Sequence, residues 1–312
     1  MLSRVAENLF WMGRYLERTE HLARYINVAY FSSLDRSHPR QHELTILSIT
    51  DMIGLPKPDA GNELNEEEIL VSAALDDTNP VSILSALYSA RENARSVRES
   101  ISSELWEAIN NFYLFVSEYP VDIYKTRGLS DFTNHVVQHC SNVRGRIQQT
   151  LLHDVGWLFI QLGIQLESTS QIVRIMISKL NDMNEINKLG LSRTLEEQQW
   201  DVLLDCLEAK DMCKKYYSHI PNRENTIEFL LFCPDFPRSV KSLFRSILNC
   251  LKKIDRKNTK GNKTIDFRVA KIVAKYQYLE VEEIDDNLPD FLEELLSKIY
   301  LISDLIVDEF FK

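Results

Sequence analysis

The chain has 312 residues, of which 44% are hydrophobic, and carries a formal net charge of −10. That apolar content can bury a sizeable core and excludes a disordered chain. The acidic total argues against wholesale binding to nucleic acid or to an anionic membrane, although a local basic patch is compatible with it.

Nine Gly and nine Pro are about half the usual share, which favours helices joined by few loops. Residues 3–33 read as one long helix, with Leu2, Val5, Leu9, Met12, Leu16 and Ala23 on one side. LDRSHPRQH at 34–42 breaks it, a short helix follows, and GLPKPDAGN at 54–62 is a loop. Residues 64–76 form an acidic helix. Asn79 as cap and Pro80 in the first turn start a helix through SILSALYSARENARSVRES. ELWEAINNFYLFV is a further helix, and residues 120–130 are an irregular connection. Helix resumes near 131 and continues to about 181, with a break near Gly156, and NDMNEINKLG at 181–190 is a turn. Thr194 with Glu197 forms a capping box opening a helix through QQWDVLLDCLEAKDMCKKYYS. Pro221 and Asn222 precede TIEFLLFC, and Asp235-Phe236-Pro237 opens RSVKSLFRSILNCLKKI. A polar loop at 255–264 leads to closing helices at about 265–279 and 289–311. No strand alternation is present. The expected fold is all-α, a bundle of about 10–12 helices in one domain over 1–312, with pseudo-repeated halves at about 1–125 and 126–312.

Five Cys without a CxxC pair suit free thiols in a reducing compartment rather than a disulfide framework. Arg4 and Glu7 interrupt the first apolar stretch, so no signal peptide is expected. The longest uncharged apolar run, Val155 to Leu166, is too short to span a bilayer. The expected location is the cytoplasm.

The repeat carries the chemistry. GRYLERTEHLARYI at 13–26 returns as GIQLESTSQIVRIM at 163–176. Gly13, Leu16, Glu17, Thr19 and Arg24 match Gly163, Leu166, Glu167, Thr169 and Arg174 without a gap. At 100° per residue, Glu7, Trp11, Arg14 and Arg18 share a face, Glu20 points into the apolar sector and Glu17 flanks it. A glycine inside a helix is destabilising relative to alanine, so Gly13 and Gly163 imply a close approach of two helices. Carboxylates beside an apolar stripe need partners, either structural arginines or a ligand. Arg91, Arg95 and Arg98 also share one face, beside Leu84, Leu87 and Tyr88, and Glu17, Glu20 and Glu167 could supply their acceptors. A surplus of guanidinium would take a carboxylate or phosphate; a solvated face of i,i+4 pairs is the equal alternative.

His135 and His139 stand at i,i+4 with Cys140 next, but Val136 occupies the place of a zincin Glu, and no metal is expected. No GxGxxG, GxxxxGK[ST] or GxSxG occurs, so no cofactor is expected. The lysines of 252–263 and the run EVEEIDD read as solvated.

WMGRYLERTEHLAR resembles the signature of the Alpha-E domain family, a bacterial all-helical family with a Glu-Arg motif, here Glu17-Arg18. ARENARSVRES, DVGWLFIQLGIQLES, WDVLLDCLEA and FPRSVKSLF resemble further family blocks. The resemblance carries over Glu17, Arg18, Arg91, Glu92, Arg95, Arg98 and Arg238. It implies a helical partner of a circularly permuted ATP-grasp ligase, in a setting that often includes a transglutaminase-like or proteasome-like peptidase. In the second copy LESTS stands where the family often resembles LERAD, so Ser168 replaces the expected Arg and Glu167 lacks that neighbour. The resulting expectation is a non-catalytic binding or scaffold protein. Its candidate ligand residues are Arg14, Glu17, Arg18, Glu20, Arg91, Glu92, Arg95, Arg98, Glu167 and Arg238. The alternative is an enzyme using buried Glu17 or Glu20, raised in pKa, as general acid or base on a peptide-like substrate.

Overall fold

Helix α1 (Ser3–Leu34) is 32 residues long and helix α8 (Val155–Lys188) 34 residues. At 1.5 Å per residue each is about 50 Å, and they pair through the interior. The computed structural model describes residues 2–34, 39–55, 65–188, 193–254, 264–284 and 287–312. Among the described residues there are fourteen α-helices and no strand. The rest are α2 (Pro39–Met52), α3 (Glu66–Ala74), α4 (Ile83–Ser96), α5 (Ser103–Ser117), α6 (Val121–Ile123) and α7 (Leu129–Thr150). They continue with α9 (Arg193–Cys206), α10 (Lys210–Tyr217), α11 (Arg223–Phe232), α12 (Val240–Ile254), α13 (Ile265–Gln277) and α14 (Leu288–Phe310). Helices α2, α4, α7, α9 and α14 pack on α1, and α2, α9, α12 and α14 also pack on α8. One cluster of buried apolar side chains runs from Ala6 to Ile306. Among the described residues no helix is long and apolar enough to cross a membrane.

The α1/α8 crossing follows from the two glycines. A Cβ on Gly13 would lie 2.5 Å from the Ile160 carbonyl oxygen and 3.3 Å from the Ile164 nitrogen. A Cβ on Gly163 would collide with the Phe10 carbonyl oxygen and come within 3.3 Å of the Arg14 nitrogen. Each glycine thus seats the backbone three residues before and one residue after the other. The flanking threonines also behave alike. Thr19 Oγ1 donates to the Tyr15 carbonyl at 2.9 Å, and Thr169 Oγ1 to the Gln165 carbonyl at 2.7 Å. Both back-bonds consume a hydroxyl that would otherwise be an unpaired buried donor.

Several element boundaries differ from expectation. Residues 181–188 continue α8, because Asp182 pairs with Lys179 and Met183 and Ile186 are buried. Residues 189–192 lie outside the described residues. The 120–130 connection is helical: α6 leads through a π-helical turn, Tyr124–Gly128, into α7, with Tyr124 buried and its hydroxyl donating to the Leu70 carbonyl at 2.9 Å. Pro120 reads as a break but serves as the residue preceding a helix, where a missing N–H does no harm. The break near Gly156 falls at 151–154, where Asp154 Oδ1 caps α8 by accepting from Gly156 N at 2.9 Å. The segment from 198 to 218 is two helices, α9 and α10, separated at 207–209, where Glu208 has φ of 50°. The α4 cap is Ser82 rather than Asn79, accepting from Ser85 N at 3.0 Å. Asn79 instead accepts from Val81 N at 3.0 Å in the preceding turn. Asn222 caps α11 as expected, accepting from Asn225 N at 2.8 Å. Ser239 caps α12 through Ser242 N at 3.1 Å, which leaves Arg238 just ahead of the helix rather than inside it. Helix α2 begins at Pro39, inside the expected break; of the loops expected at 54–62 and 255–264, residues 56–62 and 255–263 lie outside the described residues, as does the Thr194 side chain of the expected capping box.

Candidate functional site

Below the glycine crossing, the segments 13–26 and 163–176 bring their glutamates into the interior. Glu17 is 4% exposed, Glu20 1% and Glu167 1%. An ionised carboxylate there is costly unless matched, and each one is matched.

Glu167 is held by α1. Arg14 Nε donates to its Oε2 at 2.8 Å, and Arg18 donates through Nε to Oε1 at 2.7 Å and through Nη2 to Oε2 at 3.2 Å. Gln171 Nε2 donates to Oε1 at 2.8 Å. Glu167 has Ser168 rather than an Arg beside it, and α1 supplies two arginines from across the interface. Arg14 also donates to Ser303 Oγ on α14 at 2.9 Å and lies 4.9 Å from the Trp11 ring, while Arg18 lies 5.4 Å from the Tyr15 ring. Burial alone would push the Glu167 carboxyl up; Arg14 and Arg18 outweigh it and bring it down to about 2.

Glu17 and Glu20 use other partners. Arg144, on α7, donates from Nη2 to Glu17 Oε2 at 3.0 Å and to Glu20 Oε2. Glu17 Oε1 and Ser168 Oγ both lie against His21 Nε2, at 3.1 and 3.3 Å. Ser168, at the position that matches Arg18, thus reaches His21 rather than a carboxylate. Glu20 Oε1 accepts from Arg24 Nη2 at 2.5 Å and from Arg238 Nη2 at 3.3 Å. Glu208, in the α9/α10 connection, meets Arg24 Nη2 at 3.2 Å and Arg238 Nη1 at 2.9 Å. Burial would raise both carboxyls, and Glu17 also raises Glu20. At Glu17, the His21 hydrogen bond and the nearby His21, Arg144 and Arg238 prevail and hold the carboxyl far below the usual range. At Glu20, Arg144, Arg24 and Arg238 prevail and lower it.

Among the described residues the network has more cations than anions. Arg14, Arg18, Arg24, Arg144 and Arg238 face Glu17, Glu20, Glu167 and Glu208, five guanidiniums to four carboxylates. Arg24 Nε and Nη1 and His21 Nδ1 are buried without a hydrogen-bond partner among the described residues. The recess between Leu16, Glu17, Glu20, Cys140 and Arg144 has a volume of about 10 Å³, room for about one water. The cations that reach the surface are Arg18 at 22% exposure, Arg144 at 39% and Arg238 at 22%.

The structure separates the second group of candidates from the first. Arg91 Nε donates to Asn110 Oδ1 at 2.8 Å and Nη1 to Glu92 Oε1 at 3.1 Å; Arg95 pairs with Glu92 at 2.5 Å. Arg91 lies 4.9 Å from the Tyr113 ring, and Arg98 lies 5.4 Å from the Trp106 ring. These arginines cover α5 aromatics, and among the described residues none of them reaches Glu17, Glu20 or Glu167. The reason is that α4 turns its alanines, Ala86, Ala90 and Ala94, into the core, which aims the arginine face along α5. Sequence reasoning missed Arg144, His21, Glu208 and Ser303. Their partners are 4 to 289 residues away, and only His21, at i+4 from Glu17, left a local signal. It also missed Lys179, which is buried, donates to Asp182 Oδ2 at 2.7 Å and lies 5.2 Å from the Tyr25 ring. His139 stacks on Phe112 and Phe115, and among the described residues no three His, Cys, Asp or Glu side chains gather as a metal site.

The fold and site thus define an all-helical protein built on a buried Arg–Glu network at a two-helix crossing. The chain belongs to the Alpha-E family, described as a predicted alpha-helical domain with a conserved ER motif, whose model matches residues 1–311. It is 24% identical to Uncharacterized protein Mb2597 of Mycobacterium bovis over 53% of this chain and 21% of that protein. It is 23% identical to Uncharacterized protein Rv2567 of Mycobacterium tuberculosis over the same shares. The chain therefore spans about a fifth of the length of these curated relatives. No solved structure matches it.

Proposed function

We propose that this protein is a non-catalytic helical binding module or scaffold that works beside a circularly permuted ATP-grasp ligase of peptide or amide bonds. In this reading Arg18, Arg144 and Arg238 form a cationic rim for an anionic or peptide-like ligand. The buried glutamates hold those guanidiniums in fixed positions. The observation that carries it is the state of the carboxylates: Glu17, Glu20 and Glu167 are all held below the usual range and each is clamped by arginine. A general acid needs its pKa raised, and a carboxylate this acidic is a weak base at neutral pH, so the arrangement suits anchoring rather than proton transfer. The fifth guanidinium and the exposure of Arg18, Arg144 and Arg238 favour an anion. That the relatives are much longer than the matched region supports a module that operates with other domains. Transglutaminase-like or proteasome-like peptidases complete the proposed setting.

We read residues 1–125 and 126–312 as halves of one duplicated domain, a reading supported by the reciprocal glycine seats and the paired threonine bonds. The five cysteines, all buried and free, favour a reducing, cytoplasmic location.

The test is capture of the ATP-grasp protein from the native host on immobilised chain, followed by the ligation rate with and without the chain. The Arg144→Ala, Arg238→Ala double variant should lose capture or stimulation at least tenfold. The Arg91→Ala, Arg95→Ala pair should retain both. Equal behaviour of the two double variants, or absence of any ATP-grasp protein among the captured ones, would refute the reading.

A further inference from the structure

Helices α11, α12, α13 and α14 enclose a pocket of about 240 Å³, outside the Arg–Glu network. Its inner wall is apolar: Phe232, Phe244, Val273, Tyr276, Phe291 and Leu295. Its rim carries Lys241, Arg245 and Lys252. These three stand at i, i+4 and i+11 on α12, so helical geometry puts them within about 40° of one another. In a chain of net charge −10, a pocket lined among the described residues by three cations and no carboxylate is a local reversal of sign.

We infer that this pocket binds a small carboxylate with an aromatic or branched aliphatic body. Size comes first. A cavity of about 150 Å³ lined by apolar side chains accepts benzene, so about 240 Å³ accommodates a ring with a short acid-bearing chain. Charge comes second. None of Lys241, Arg245 and Lys252 forms a salt bridge among the described residues. Arg245 spends only Nη2, on the Pro234 carbonyl at 2.8 Å and Ser242 Oγ at 3.4 Å, which leaves Nε and Nη1 for an anion. The neighbouring carboxylate Glu294 is already engaged by Lys275 at 2.6 Å. The third point is independent of both. Tyr276 lines the pocket, is 3% exposed, and its hydroxyl has no hydrogen-bond partner among the described residues. A buried hydroxyl without a partner is destabilising, and a small turn of the ring toward the pocket would let a ligand oxygen satisfy it. Apolar walls with a few convergent polar groups are the usual make-up of a small-molecule site.

The experiment is isothermal titration of the full chain at neutral pH with three probes: 3-phenylpropanoate, its neutral amide, and propanoate. The pocket should take the aromatic acid at one site, at least tenfold more tightly than either the amide or propanoate. The double variant Lys241→Ala, Arg245→Ala should weaken the acid about tenfold, the size of a lost charge-assisted hydrogen bond, without lowering the melting temperature. Tyr276→Phe, which keeps the ring, should weaken it several-fold. Arg91→Ala with Arg95→Ala, a basic pair elsewhere, should leave it unchanged. The inference is overturned if the acid does not bind at millimolar concentration, or if the amide binds as well as the acid. It is also overturned if the 241/245 variant binds like the parent, or if the 91/95 variant loses as much affinity.

Discussion

Gly163→Ala adds one methyl group at the point where α1 and α8 are closest. That Cβ would collide with the Phe10 carbonyl oxygen, 3.0 Å from the Phe10 carbonyl carbon and 3.3 Å from the Arg14 nitrogen. All three obstacles are backbone, so no side chain can swing aside; the helices must separate. Alanine improves helix propensity by about 1 kcal/mol. Overpacking costs about 1–3 kcal/mol, and separation also draws Arg14 and Arg18 away from Glu167, part of a buried pairing whose complete loss costs about 3–5 kcal/mol. The sum is a net destabilisation of about 2 kcal/mol or more. Gly145→Ala on α7 is the control, since nothing lies within 4 Å of its Cβ. There only the propensity gain operates, so the melting temperature should rise slightly. Thermal and urea unfolding followed by far-ultraviolet circular dichroism compare the two. A Gly163→Ala protein as stable as the parent, or more stable, would refute the close crossing as the organising contact.

Acid should destabilise the fold through the same network. Glu17, Glu20 and Glu167 have folded pKa values below their unfolded ones, so their contribution is full above about pH 4.5 and drains away as the pH falls toward the folded values, about 2 for Glu167; melting temperatures between pH 7 and pH 3 should show the decline, and an unchanged melting point would contradict it. Arg144→Met leaves Glu17 and Glu20 facing each other and should cost about 3 kcal/mol, whereas exposed Arg95→Ala should stay within about 0.5 kcal/mol in the same urea titration. All five thiols should be inert to a disulfide reagent in the native protein and react once it is unfolded, because every cysteine is buried and burial pushes the thiols of Cys206 and Cys213 up to about 12; fast labelling of the native protein would contradict this.

Much of the interior could be read from local pattern. Mid-helix glycines at matching places in the similar segments 13–26 and 163–176 announced a close crossing, and glutamates beside an apolar stripe announced buried charge. The partners of those charges could not be read that way. Arg144 is 127 residues from Glu17 and Arg238 is 218 from Glu20, and no periodicity connects them. The partners of the Arg91 face were hidden for a related reason: a guanidinium beside an apolar stripe can be satisfied by aromatic rings and a neighbouring amide, and α5 provides both. Polar composition also misled at 181–188, where Asp182 is not a turn former but the counter-ion of a buried lysine. Local propensity gave way there to tertiary packing.

The most direct measurement is the ionisation of Glu17 and Glu167 in the folded protein. Carboxyl carbon resonances of ¹³C-labelled glutamate, assigned with Glu17→Gln and Glu167→Gln variants, can be followed from pH 7 to pH 4. Both should hold the ionised position across the whole range while exposed glutamates titrate. A midpoint for either at or above the ordinary carboxylate value would mean that arginines do not clamp it, and the network described here would not exist in solution.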